Sequence, residues 1–125
     1  MKYITIPGFE KLSKQELFDM SAAHICSTRQ KSYGSVVGCS YAGSGCAAAP
    51  FIRPEHRQRA DKYGTWARQV DLLLAPDHET SFVLALQCCH DFATERGFFD
   101  DWKRNMCSLA ERHGLSTAKL DELSK

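Results

Sequence analysis

The stretch that most constrains this chain is Gly38 to Ile52, GCSYAGSGCAAAPFI, a run of small residues carrying two cysteines between segments of helical periodicity. Three glycines within eight residues permit positive φ at a turn, and Ala42-Gly43-Ser44-Gly45 has turn chemistry. Ser35-Val36-Val37 leading in and Cys46 to Ala49 leading out therefore predict a short β-hairpin, with Cys39 facing Cys46 across an antiparallel pair. The same residues carry a competing reading. Alanine is a poor strand former, and Cys46 to Ala49 also suits the start of a helix that Pro50 cuts short. Side chains this small let other elements pack down on the segment, which makes it the expected centre of the core.

At 125 residues the chain is large enough for one core and too small for two, so a single domain spanning 1–125 is expected. Its 43% hydrophobic and 25% charged residues are those of a globular protein rather than a disordered one. The longest apolar runs, Val70 to Pro76 and Phe82 to Leu86, are broken by Asp71 and Gln87, far short of the ~20 residues of a membrane span. The start of the sequence lacks an apolar stretch followed by a small-residue cleavage site, which predicts a cytoplasmic protein. In that compartment the six cysteines read as small buried hydrophobes rather than disulfides. Residues 1–62 carry nine Lys/Arg against five Asp/Glu, and residues 63–125 seven against ten. The two halves are thus +4 and −3, without the block of like charge that marks a nucleic-acid tail.

Around the central segment the pattern is helical. Lys2 to Ile6 alternates and stops at Pro7-Gly8, as an N-terminal edge strand would. Ser13 and Glu16 form a capping box, flanked by the Leu12 and Leu17 staple, for a helix running to about Arg29. Pro54 and Glu55 open a helix that Gly64 stops; Thr65 caps another over Trp66 to Ala75. Asp77 opens the longest, His78 to Arg96, with Gly97 as its C-cap and Phe82, Leu86, Cys89 and Ala93 on one face, the face expected to approach the alanines after Cys46. Asp100 or Asp101 starts a helix with Trp102, Met106, Leu109 and Ala110 inward, closed by Gly114, and Leu115-Ser116 and Leu120 mark a last short one. The predicted fold class is α+β, mainly α: four to six helices packed around a short β-hairpin.

Taken together, Cys39-x-Tyr41, the Gly-rich turn, Gly45-Cys46-Ala47-Ala48-Ala49, Ile52, Leu86-Gln87-x-x-His90-Asp91, Trp102, Leu109-Ala110 and His113-Gly114-Leu115 resemble a group of small phage and prophage proteins without an assigned function. The likeness covers roughly residues 13–120. Ala48 and Ala49 stand where those proteins commonly have glycine, and Arg53 to Thr65 is unusually basic for them. The resemblance implies a viral or mobile-element context and no catalytic residue.

Four kinds of chemistry compete for the remaining residues. Zinc would draw on Cys39, Cys46, Cys89 and His90, with His24, Cys26, Cys88, Cys107 and His113 as further donors, but no C-x-x-C or H-x-x-x-H knuckle is present. Thiol catalysis would need Cys88, Cys89 or Cys46 beside His90 or His24, with Asp91 orienting the ring; adjacent helical residues point apart, and no nucleophile signature is found. No catalytic residue and no cofactor are assigned. Anion or nucleic-acid binding would use Arg53, His56, Arg57, Arg59 and Lys62, with Tyr63 and Trp66 stacking, against the alternative of a solvated face with Arg57 paired to Asp61. Protein recognition would use Phe98, Phe99, Asp101 and Trp102 at a helix junction, or the basic helix against an acidic partner; the alternative is that these aromatics close the core. Elimination leaves protein recognition, and with the phage context that the resemblance implies the expected function is that of a phage-type accessory protein binding a host protein stoichiometrically, inhibiting a defence or regulatory factor, with homodimerisation through either surface as a further expectation.

Overall fold

The computed structural model describes residues 3–29, 41–42, 46–94 and 96–125. Those residues form six α-helices and three short 3-10 turns, and none of these helices is long and apolar enough to cross a membrane. Among them there is no strand, sheet or hairpin; the single β feature is an isolated antiparallel bridge between Thr5 and Ile52. The α+β expectation is therefore corrected, over the described residues, to a helical fold. Ser35 to Cys39 and the turn residues Gly43 to Gly45 lie outside the described residues. The returning arm is described and is not a strand. Ala49, Phe51 and Ile52 donate their N–H groups to Cys46, Ala48 and Ala49 at 3.0, 3.0 and 3.1 Å, successive three-residue turns that strand pairing cannot accommodate. Pro50 sits within the turn Ala49–Phe51, where its fixed φ is suited and its missing N–H costs nothing. The expected edge strand shrinks likewise to that one bridge. Ile4 donates to Leu74 and accepts from Arg53 at 2.8 and 2.9 Å, so the extended N-terminal segment is held between two loops rather than in a sheet.

Helix α1 (Lys14–Thr28) begins at the predicted capping box. The Ser13 hydroxyl accepts the Glu16 N–H at 3.1 Å, and the Glu16 carboxylate accepts the Ser13 N–H at 3.0 Å, which holds that carboxyl below its usual range. α2 (Arg57–Asp61) follows the 3-10 turn Pro54–His56. α3 (Trp66–Asp71) is capped by the Thr65 hydroxyl, which accepts the Arg68 N–H at 3.4 Å. It ends earlier than Ala75 because Leu73 adopts φ +61°, with the Leu73 and Leu74 N–H groups returning to Val70 and Gln69 at 3.0 and 2.9 Å in a Schellman arrangement.

α4 (Thr80–Asp91) is shorter than the predicted His78 to Arg96, and α5 (Phe98–His113) starts earlier than Asp100. Thr94 makes the break. Its hydroxyl and N–H donate to one Asp101 oxygen at 2.5 and 3.1 Å, and the hydroxyl accepts the Gly97 N–H at 3.2 Å, so Gly97 becomes the N-cap of α5 rather than the C-cap of α4. α4 and α5 run antiparallel, with Phe82 against His113 at 5.1 Å at one end and His90 against Phe98 at 5.3 Å at the other. α6 (Ala118–Leu123) lies along α1 in the same direction. Gln15 exchanges hydrogen bonds with Ser116 at 3.0 and 2.8 Å, and the Arg29 guanidinium donates to the Leu123 and Lys125 carbonyls at 3.4 and 3.0 Å.

The described part of the central segment is the packing centre it was expected to be, but α1 seats it. Cys46 to Ala49 are fully buried, and the Ser21 hydroxyl of α1 donates to the Ala47 carbonyl at 2.8 Å. Beside it Phe51, Phe9 and Trp66 stack at 5.5 to 6.1 Å, with each large buried side chain contributing about 1.5–3 kcal/mol of transfer free energy. α4 reaches the segment from the other side through Gln87.

Candidate functional site

The two motif segments, Tyr41 with Cys46 and Leu86 to Asp91, meet inside the protein. Tyr41 donates its hydroxyl to the Gly64 carbonyl at 2.9 Å and accepts from the Gln87 amide at 3.2 Å; the same amide reaches the Cys46 sulfur at 3.9 Å. The Tyr41 N–H donates to Asp61 at 2.7 Å. Gln69 adds bonds from its amide to the Ala60 and Gly64 carbonyls at 2.9 and 3.1 Å. These buried polar groups join α2, α3 and α4 through main-chain carbonyls, an arrangement that specifies packing.

Three of the described thiols, Cys26, Cys88 and Cys89, are biased against nucleophilic chemistry. His90 is fully buried with Nδ1 on Asp91 at 2.8 Å and its ring edge-on to Phe98. Burial pushes the Cys89 thiol up to about 12, with Cys88 adding to the rise and Arg112 opposing it. Cys88 is raised by burial and by the Asp91 charge, and Cys26 by burial. Raised thiols stay protonated near neutrality, the reverse of an activated cysteine. Among the described residues no group of three or more His, Cys, Asp or Glu converges to hold a metal; of the zinc candidates, Cys39 lies outside them.

The basic stretch is partly committed to the fold. Arg53 donates Nε to the Thr5 carbonyl at 2.9 Å, and Arg57 donates Nε to Ala49 and Ile52 at 3.0 and 3.3 Å. His56 is half-buried, Arg59 and Lys62 are exposed, and Trp66 is in the core rather than available for stacking. At the aromatic junction Phe98 and Trp102 are buried, and Phe99 is half-buried under the Arg29 guanidinium, 4.4 Å from its ring centre. Asp101 is bound by Thr94 and by Arg104 at 3.1 Å, contacts that hold its carboxyl below the usual range.

What the structure presents to solvent is a different surface. Along α4 and onto its C-cap, Ala85, Cys88, Cys89 and Phe92 recur at three- and four-residue spacing; along α5, Asn105, Ser108 and Arg112 face them. Between these rows lies an open cleft of about 340 Å³. Asn105 closes its floor by donating to the Cys89 carbonyl at 3.1 Å. Phe92 stands on the rim, 78% exposed, the most exposed large hydrophobic among the described residues. Cys88 is exposed beside it, and Arg112 forms no ion pair with any described residue. The signal for this surface was present in the sequence: α4 is apolar around most of its circumference, more than one core contact consumes.

Comparison of the chain with family models, with curated proteins and with solved structures gave no match.

Proposed function

We propose that the protein acts by stoichiometric binding to another protein, with the α4–α5 cleft and Phe92 as the contact surface. The observation that carries this reading is the placement of Phe92, 78% exposed at the edge of the cleft, while Phe82 and Leu86 of α4 and Phe98, Trp102 and Met106 of α5 close the core. Large aromatic side chains are over-represented at protein interfaces, and truncating one that acts as a hot spot costs about 2 kcal/mol or more. The raised thiols of Cys26, Cys88 and Cys89 support binding over thiol-dependent turnover. The phage-type resemblance supplies the setting: the cytoplasm of a host cell, with a host defence or regulatory protein as the partner that is inhibited.

The test is affinity capture from host lysate with the wild type and Phe92→Ala as paired baits, followed by reconstitution of the captured protein and light scattering on the purified complex. A defined one-to-one complex that Phe92→Ala loses is expected. Multiple turnover of a small substrate, or a complex that Phe92→Ala retains in full, would contradict the proposal.

A further inference from the structure

We infer that the occupant of the α4–α5 cleft is an amphipathic helix of the partner, carrying an acidic side chain placed opposite Arg112; this rests on the protein-binding reading above. The hydrogen bonds available in the cleft decide the form of the occupant. Its walls are the sides of two α-helices, whose main-chain groups are engaged within those helices. One Asn105 N–H is committed to Cys89; its other N–H and its Oδ1, the Ser108 hydroxyl and the Arg112 guanidinium are the side-chain polar groups on offer, with no main-chain edge among them. An extended segment laid there would find no main-chain ladder to pair with and would leave most of the N–H and C=O groups it buries without partners, at a cost of several kcal/mol in total. A helix satisfies its main chain internally and presents only side chains.

Size and charge narrow the occupant further. Ala85 to Phe92 spans about 10 Å, two helical turns, so a facing helix meets the cleft with apolar residues at i, i+3, i+4 and i+7. Arg112 lines the cleft and lies close enough to Cys89 to oppose the rise of that thiol, yet it has no carboxylate among the described residues. A partner acid meeting it forms a charge-assisted pair at the edge of a desolvated contact, where such a pair fixes orientation. A single arginine is too little charge for a nucleic-acid strand.

The full chain is titrated with a labelled stapled peptide of about 15 residues, roughly four helical turns, bearing leucines at those spacings bordered by glutamates. Two analogues accompany it, one with lysines for the glutamates and one interrupted by proline. Anisotropy reports affinity, and mass-spectrometric mapping reports alkylation of Cys88. The glutamate peptide is expected to bind and to protect Cys88, with the lysine analogue weaker by roughly tenfold. Phe92→Ala is expected to weaken binding roughly 30-fold with its melting temperature intact, and Arg112→Glu to invert the preference between glutamate and lysine. Equal affinities for the two analogues would overturn the acidic partner. Undiminished binding of the proline peptide would overturn the helix. Binding without protection of Cys88, no binding by any peptide, or self-association lost in Phe92→Ala would each overturn the proposed occupant. A one-to-one complex with a captured protein that still depends on Phe92 would leave the protein-binding reading standing after any of those failures.

Discussion

Replacing Ser21 with alanine removes one hydrogen bond and isolates one carbonyl. Ser21 is fully buried on α1, and its hydroxyl donates to the Ala47 oxygen at 2.8 Å, the bond that seats the central segment on that helix. A buried carbonyl left without a donor costs about 1–3 kcal/mol, while alanine's better helix propensity returns roughly 0.5 kcal/mol. The expected net loss is about 1.5 kcal/mol. Unfolding entropy of about 2.1 cal/mol/K per residue over 125 residues converts this to a fall in Tm of about 6 °C. Calorimetry and urea titration at one pH measure it, with an unchanged m-value expected because the unfolded surface is the same. Ser21→Cys, which keeps a weak donor, should fall between the two. A Ser21→Ala Tm within about 1 °C of the wild type would refute the reasoning, because it would mean that the Ala47 carbonyl has no need of this donor.

Three further outcomes follow from single residues. Gly114 closes α5 at φ +65° with nothing within 4 Å of where a Cβ would stand, so Gly114→Ala should cost about 1 kcal/mol through backbone strain alone, measured by urea unfolding. Asp101 is held below the usual carboxylate range by Thr94 and Arg104, so its contribution is fully present above the unfolded pKa and is lost as pH falls through the folded one; between about pH 5 and pH 2 the wild type should lose stability more steeply than Asp101→Asn, seen in parallel acid titrations. Burial pushes Cys89 up to about 12 while Cys88 is exposed, so alkylation of the native protein at mildly alkaline pH should modify Cys88 and spare Cys89 until the chain unfolds; equal rates by peptide mapping would contradict this.

The helices were legible where local chemistry decided them. Ser13 and Glu16 cap α1 through side-chain bonds that depend only on residues three apart, and Thr65 caps α3 in the same way. The break between α4 and α5 was missed because Thr94 acts through Asp101, seven residues on, and Gly97 serves either helix equally well in sequence. The predicted hairpin failed over its described arm for a related reason. The alanines of Cys46 to Ala49 favour turns as readily as strands, and the Ser21 contact that fixes them comes from 26 residues away. The aromatic junction was legible as a cluster, but the sequence could not tell that Arg29 covers Phe99 while Phe92 stands bare. Exposure of one aromatic among seven phenylalanines is settled by which face of α4 the core consumes, and that is a property of packing.

The central claim is that the cleft between α4 and α5 is a protein-binding surface anchored by Phe92. Its most direct test is the alkylation rate of Cys88 in the free chain and in the purified complex with the captured partner. The complex is expected to slow Cys88 by at least about tenfold while the half-buried Cys107, outside the cleft, keeps its rate. An intact one-to-one complex in which Cys88 reacts as fast as in the free chain would contradict it.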